Sequence, residues 1–124
     1  MKKKEVISYS GFSMEPGVSY DLYEKNKGVV GEHEDFIDVY IDEFKILNFW
    51  HRIEELGVWN WRKKYPYNTK LQPVCDCHQW ELKLRDRKGR SKYCSGMGSY
   101  PRNYLKLMKE LNILFGVDIK HYIR

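Results

Sequence analysis

Three cysteines and two of the four histidines are the residues in this sequence best suited to bind a soft metal ion. Cys75, Cys77 and His78 are near neighbours, and Cys94 and His121 follow later in the chain. A structural zinc site takes four such ligands, and paired cysteines usually leave roughly two to four residues between them. Only one residue separates Cys75 from Cys77. The spacing therefore predicts no bound metal and no cofactor, with Cys75, Cys77 and His78 as the weak candidates.

A glycine-rich connector offers backbone N–H groups to an anion. Gly96, Gly98 and Ser99 precede a predicted helix, and Arg102 lies near its start. A helix N-terminus attracts anions because its first N–H groups have no partner within the helix. The segment matches neither dinucleotide-binding nor P-loop spacing, since Pro101 stands where a third glycine would fall. Two interpretations follow: a connector that needs positive φ, or a small anionic-ligand site formed by Gly96, Gly98, Ser99 and Arg102.

Basic residues are interleaved with aromatic ones between residues 61 and 92. Such a surface fits a phosphate backbone, with the rings stacking on the bases. Charged side chains at a hairpin tip also keep a sheet soluble and protect its edge. Nucleic-acid binding is therefore an alternative and not our first hypothesis. Its candidate contacts are Arg62, Lys63, Lys64, Arg85, Arg87, Lys88, Arg90 and Lys92.

The acidic run Glu32-His33-Glu34-Asp35 is the remaining cluster of ionisable residues. Adjacent side chains cannot all point into one site unless the chain wraps around an ion, so the run favours a solvated bend. The sequence contains no nucleophile elbow, zincin pair or kinase-like set of motifs. We therefore predict no catalytic residues.

Length and composition predict one folded domain over residues 1–124. Hydrophobic residues make up 42% of the chain and aromatic residues 15%, which is enough apolar surface to exclude disorder of the whole chain. No run has the length and hydrophobicity of a signal peptide or of a membrane-spanning helix. Three cysteines are an odd number for a disulfide framework. We therefore expect a cytoplasmic protein with reduced thiols and no membrane contact.

The charge is distributed unevenly along the chain. Residues 1–60 carry 7 basic and 12 acidic residues, a net charge of −5, whereas residues 61–124 carry 15 and 5, a net charge of +10. Either the two halves attract each other within the fold, or the second half meets an anionic partner.

The first half predicts strands followed by a helix. Tyrosine-rich and β-branched runs at 5–12 and 17–25 flank a Pro-Gly turn, and residues 29–41 add further strand, giving two or three antiparallel strands. Asp42 is a predicted N-cap for a helix that runs to Leu56 and stops at Gly57. The residues predicted on its buried face are Ile46, Leu47, Phe49, Trp50, Ile53 and Leu56.

The second half predicts a hairpin and a second helix. His78 to Asp86 alternates apolar with polar residues, as in a half-buried strand, and residues 90–94 return after a turn. A connector at 95–99 leads to a helix that opens at Tyr100-Pro101 and stops at Gly116. Its predicted buried face comprises Tyr104, Leu105, Leu107, Met108, Leu111, Leu114 and Phe115, and the predicted polar side is Arg102, Lys106, Lys109 and Glu110.

These elements predict an α+β fold. It is an antiparallel sheet built from two β-hairpin-plus-helix units, residues 5–57 and 78–116, with both helices packed on one face. Residues 117–124 form a tail.

Three aromatic motifs stand out in the second half: Trp59-Asn60-Trp61 after a helix, Asp76–Trp80 at a strand start, and Ser95–Tyr104 before a helix. They resemble a group of small uncharacterised bacterial proteins with Trp-x-Trp, Asp-Gly-x-x-Trp and Ser-Gly-x-x-x-Tyr-Pro-x-Asn-Phe motifs. Here Cys77 replaces the glycine and Tyr104 the phenylalanine. The resemblance covers about residues 40–115, implies a shared fold and carries over no activity.

Our first hypothesis is a non-catalytic protein-interaction domain. It acts through an aromatic surface or an open sheet edge, on a partner protein or on a second copy as a homodimer. The alternative is a nucleic-acid-binding module that uses residues 61–92. A third is a small anionic-ligand site at the 96–102 loop.

Overall fold

A computed structural model of the protein describes residues 4–12, 17–67 and 78–121. Within those ranges it has seven strands and two helices. The strands are β1 Val6–Phe12, β2 Val18–Glu24, β3 Lys27–Glu32, β4 Asp35–Tyr40, β5 Lys64–Tyr65, β6 Gln79–Arg85 and β7 Ser91–Met97, and the helices are α1 Glu43–Glu55 and α2 Tyr104–Phe115. A turn of 3-10 helix covers Val58–Asn60. The predicted α+β class is confirmed.

The strands form one sheet in the order β4-β3-β2-β1-β6-β7-β5. All neighbouring pairs are antiparallel except β5 and β7, which run parallel. The strands β1 to β4 lie side by side in chain order, and four strands replace the two or three that the sequence predicts. None of the helices in the described ranges is long and apolar enough to cross a membrane.

Pairing of β1 with β6 joins the two halves of the chain at the middle of the sheet. Ile7 lies opposite Leu22 on one side and Leu84 on the other, and Tyr9 lies opposite Tyr20 and Leu82. Because side chains alternate along a strand, this register puts all of them on one face. That face is buried, as the alternation of Trp80, Leu82 and Leu84 predicts.

The buried face of the sheet and both helices contribute to one hydrophobic cluster. From α1 it includes Ile46, Phe49 and Ile53. From α2, the Tyr104 ring packs on Tyr9 and Trp80, and the Phe115 ring meets Tyr20 edge to face. These ring contacts pack α2 against β1, β2 and β6.

Local signals set the ends of α1 as predicted. The Asp42 side chain accepts a hydrogen bond from the Phe44 N–H at 2.7 Å, which satisfies one of the free N–H groups of the first turn. At the other end Leu56 is the C-cap, and Gly57 takes the positive φ of +71° that ends the helix. Such backbone favours glycine.

The predicted start of α2 is wrong by about one turn. The helix begins at Tyr104 and not at Tyr100-Pro101. Asn103 adopts a positive φ of 70° and donates its side-chain amide to the Leu56 carbonyl at 3.1 Å. Proline also disfavours helical backbone at the residue before it, here Tyr100. The segment 100–103 therefore joins the two helices by a side-chain hydrogen bond.

Three further expectations are corrected. The predicted connector begins as strand, since β7 continues to Met97 with β6 on one side and β5 on the other. Leu47 and Leu105 were expected inside but are 47% and 44% exposed. Glu110 was expected in solvent but is 8% exposed, because Arg52 on α1 pairs with it at 3.0 Å.

Ion pairs hold the two halves of the chain together. Arg87 pairs with Glu5 and Glu43, and Arg90 pairs with Glu54. In each pair the cation comes from the basic half and the carboxylate from the acidic half. The uneven charge thus serves internal complementarity in part.

Replacing Gly28 with alanine is expected to lower the free energy of unfolding by about 1–3 kcal/mol, as overpacking of a core does. A Cβ there would lie 2.7 Å from a ring carbon of Phe115 and 3.0 Å from Ile41. Urea unfolding followed by tryptophan fluorescence measures the change. In a Phe115→Leu background the loss should be smaller, because the ring carbon is gone. An equal loss in both backgrounds would assign the effect to something other than the ring.

Candidate functional site

The strand β4 forms one edge of the sheet and is exposed along nearly its whole length. Its neighbour on one side is β3, and the described residues place no strand on the other. Five of its six residues are exposed and Val39 is half-buried. The exposed side chains include three large apolar ones: Phe36, Ile37 at 54% exposed and Tyr40 at 78%.

One hydrogen bond shows which backbone groups of β4 face outward. The Ile41 N–H donates to the Asn26 carbonyl at 2.8 Å, so Ile41 faces the β3 side. Because these directions alternate along a strand, the backbone groups of Phe36, Asp38 and Tyr40 point away from the sheet. In the described part of the chain no backbone group pairs with them. β4 is therefore a template to which a further strand can be added.

The side chains of β4 divide between the two faces of the sheet. Ile37 lies opposite the buried Val30 and so belongs to the core side. Phe36, Asp38 and Tyr40 alternate with it and lie on the other side. A strand added at this edge would meet apolar side chains on both faces and one carboxylate between two rings.

The edge is also acidic. Glu32, Glu34, Asp35 and Asp38 are all exposed at or near the β3–β4 turn. Among the described ion pairs none involves these four carboxylates. The run Glu32–Asp35 forms the turn itself, with His33 at a positive φ of 60°, which agrees with a solvated bend.

The predicted nucleic-acid residues are scattered, and several have intramolecular partners. Arg87 and Arg90 form the ion pairs described above, and the Arg90 guanidinium lies 4.1 Å from the centre of the Trp59 ring. Hydrogen bonding to Glu43 raises the pKa of Arg87. Arg62 stacks over Tyr65 at 4.8 Å, and Arg85 donates to the Lys4 carbonyl at 3.4 Å. Much of the predicted cationic surface is therefore used to hold the fold together.

The lysines of that set have no ion pair among the described residues. Lys63, Lys64 and Lys88 are exposed and Lys92 is half-buried. Lys64 pairs with Ser95 in the sheet, and its side chain is on the face opposite the core. On the same face Lys83 lies 5.9 Å from the Tyr93 ring, whose hydroxyl donates to Glu81 at 3.0 Å.

The loop predicted to bind an anion is bound to its own neighbours. The Gly98 N–H donates to the His78 carbonyl at 2.8 Å, and the Ser99 carbonyl accepts from the Trp80 indole at 3.0 Å. At Gly96 a Cβ would lie 2.3 Å from the same indole nitrogen. Gly98 has a positive φ of 61°, and Arg102 is exposed. These contacts support the connector interpretation.

Of the three weak metal candidates, only His78 lies among the described residues. Cys75 and Cys77 lie outside those residues. The Nδ1 of His78 is 3.0 Å from the Tyr100 hydroxyl. Cys94 is buried opposite Leu82, and burial raises the pKa of its thiol. In the described ranges no group of three His, Cys, Asp or Glu residues is arranged to hold a metal ion.

A cluster of tyrosines and a histidine, missed by sequence reasoning, ties the chain end to the sheet. The Tyr9 and Tyr104 hydroxyls hydrogen-bond to each other in the core. Tyr20 donates to the Asn112 Oδ1 at 2.5 Å and lies 2.8 Å from the His121 Nε2. No local spacing signals such contacts, because their partners are far apart in sequence.

Two hydrogen bonds of Asn112 fix the proton positions in this cluster. Its amide nitrogen donates to the Ile119 carbonyl at 2.9 Å, so its oxygen faces Tyr20. The Tyr20 hydroxyl has one hydrogen and donates it to that oxygen. Toward His121 the hydroxyl can therefore only accept, so the His121 Nε2 carries a hydrogen and donates it to Tyr20. Burial raises the pKa of Tyr9, Tyr20 and Tyr104, and burial lowers the pKa of His121 to about 4. The cluster is neutral at pH 7.

Comparisons of this protein with family models, with curated proteins and with solved structures found no match. The functional argument therefore depends on the geometry of the chain itself.

The free energy of unfolding should fall as the pH drops from about 6.5 to about 4. The pKa of His121 is about 4 in the fold against 6.5 for the free group, so the unfolded chain takes up its proton first and gains stability from it. The variant His121→Gln keeps an N–H donor and lacks the titration. Urea unfolding at the two pH values should show a smaller acid loss in the variant. Identical losses would contradict the assignment.

Proposed function

We propose that this protein is a non-catalytic interaction domain that binds an extended segment of a partner protein along β4. The observation that carries the proposal is the open backbone of Phe36, Asp38 and Tyr40. An added strand gains main-chain hydrogen bonds from such an edge, and the alternating side chains of the edge supply specificity.

The composition of β4 supports this role. Natural sheets protect their edges with proline, lysine, bulges or a covering element. β4 contains neither proline nor lysine, its charged residues are Asp35 and Asp38, and it pairs with β3 in continuous register over all six residues. Its rings and Ile37 are exposed instead. An edge left in this state is typical of a binding surface.

We further infer that both helices cover one face of the sheet and that each predicted unit, 5–57 and 78–116, contributes one of them. The support is that buried residues of α1 and α2 belong to the same cluster as Ile7, Tyr9 and Leu82. The opposite face and the β4 edge then stay open to a partner. A second copy of the chain is one such partner.

Nucleic-acid binding is a second candidate, supported by the open face near β7. There Lys64, Lys83 and the exposed Tyr93 ring lie together. A ring flanked by lysines can stack on a base while the lysines contact phosphates. The ion pairs of Arg87 and Arg90 make this surface smaller than the sequence predicts.

The variant pair Asp38→Pro and Asp38→Ala tests strand addition at β4. Proline at position 38 removes an N–H that points away from β3, so the β3–β4 pairing survives. An added strand loses one hydrogen bond and clashes with the pyrrolidine ring of the proline. Alanine removes the same carboxylate and keeps the N–H. Random peptides displayed on phage are selected on the wild type. They should bind Asp38→Pro at least about tenfold more weakly than Asp38→Ala, which is a difference of about 1.4 kcal/mol in binding free energy.

Circular dichroism and urea unfolding establish that each variant is folded. The pair Phe36→Pro and Phe36→Ala repeats the comparison at the next outward N–H, so the test survives if Asp38→Pro does not fold. Selection of no peptide, or of peptides that bind the proline and alanine variants equally well, would remove the proposal.

The nucleic-acid candidate predicts binding of labelled single-stranded DNA or RNA that weakens by about tenfold or more between roughly 50 and 200 mM salt. Fluorescence anisotropy measures it. Lys64→Glu should weaken binding, whereas Lys45→Glu on α1 should not. Absence of binding at the lower salt concentration removes this candidate.

A further inference from the structure

We propose that the segment bound by β4 is a basic and apolar strand of another protein, and that a second copy of this chain is disfavoured. This inference rests on the proposed function, because it concerns the chemistry of the strand that β4 accepts. Two observations carry it: the pattern of side chains along β4 and the four carboxylates around it.

The first observation gives the pattern of the bound strand. In an antiparallel pair, residues directly opposite each other lie on the same face of the sheet. The side chains of Phe36, Asp38 and Tyr40 lie on the open face of the sheet, opposite the core side. The side chains of the residues paired with them therefore lie on the open face too. Apolar residues suit the positions opposite the two rings, and lysine or arginine suits the position opposite Asp38. This apolar–basic–apolar pattern is the same in both directions along the strand.

The core side of the edge adds one further requirement. Ile37 is 54% exposed on that side, next to the half-buried Val39. A strand that covers them needs an apolar residue between the positions opposite Phe36 and Asp38, or between those opposite Asp38 and Tyr40. The bound segment is therefore apolar on its core side and carries its cation on the open side.

The second observation argues against a second copy. A two-fold pairing centred on Asp38 would place this carboxylate opposite its own copy. Shifting the register by two residues places Asp38 opposite a ring of the other copy. In the centred antiparallel register Glu34 would also lie opposite Asp42 of the other copy. Like charges across an interface suppress the wrong partner.

Selection of random phage-displayed peptides on two forms of the full chain tests the inference. One form is the wild type, and the other is Glu32→Gln/Glu34→Gln/Asp35→Asn/Asp38→Asn, in which every carboxylate around the edge becomes an amide of similar size. Peptides selected on the wild type should be enriched about threefold or more in Lys and Arg over Asp and Glu, relative to the unselected library. Peptides selected on the neutral form should lack this enrichment, because the carboxylates that attract basic peptides have been removed.

A selected peptide, synthesised and labelled, gives a second measurement. Its affinity for the wild type should weaken by about tenfold between roughly 50 and 500 mM salt, because salt screens exposed charges. Its affinity for the neutral form should change much less. Binding of the peptide should slow the hydrogen exchange of the backbone amides of Phe36, Asp38 and Tyr40.

The outcomes separate the inference from the proposed function. Peptides that protect the three amides but carry no excess of basic residues would overturn the inference and leave strand addition intact. Sedimentation of the wild type as a dimer that Asp38→Pro dissociates would also overturn it, because the occupant would then be a second copy. Failure to select any peptide would remove the proposed function itself.

Discussion

The pairing of β1 with β6 is the constraint on which the rest of this structure depends. It brings together strands from the two halves of the chain in a register that puts Ile7, Tyr9, Leu82 and Leu84 on one face. A slip of one residue would turn the buried side chains of one of these two strands to the other face. The same pairing places β1 and β6 at the centre of the sheet and so makes β4 an outer strand. The open edge is a consequence of that strand order.

Charge reinforces the pairing from outside the core. Arg87, just beyond β6, reaches Glu5 just before β1 and Glu43 at the start of α1. Arg90 reaches Glu54 near the end of the same helix. Each pair is at least partly exposed, so each contributes little alone. Together they orient the β6–β7 turn against α1, and they remove arginines from the surface that a nucleic acid would meet.

Features encoded by neighbouring residues could be predicted from the sequence. Asp42 and Gly57 bound α1 because a cap and a left-handed residue act within one turn. The alternation around Trp80 predicts the buried face of β6, and the turn before residues 90–94 predicts the antiparallel return strand. In each case the partner of the residue lies a few positions away.

Features that depend on partners far away in the sequence could not be predicted from it. Glu110 has the sequence context of a solvent-facing residue, and only Arg52 on the other helix explains its burial. Asn103 starts α2 late because its amide finds the Leu56 carbonyl. The exposure of Phe36 and Tyr40 follows from the order of the strands, which no local pattern contains. An open sheet edge is one of the two surfaces that the first hypothesis names, whereas the place of that edge at β4 depends on the strand order.

Asp38 affects how the protein aggregates at high concentration. It is the one charged residue between Phe36 and Tyr40 of the edge strand, with Ile37 and Val39 on either side of it. Short segments of high β-propensity and low charge nucleate amyloid-like stacking, and natural sequences place gatekeeper residues in or beside them. A carboxylate in the middle of β4 fills that role. Its charge opposes the uncontrolled growth of fibrils from the exposed edge.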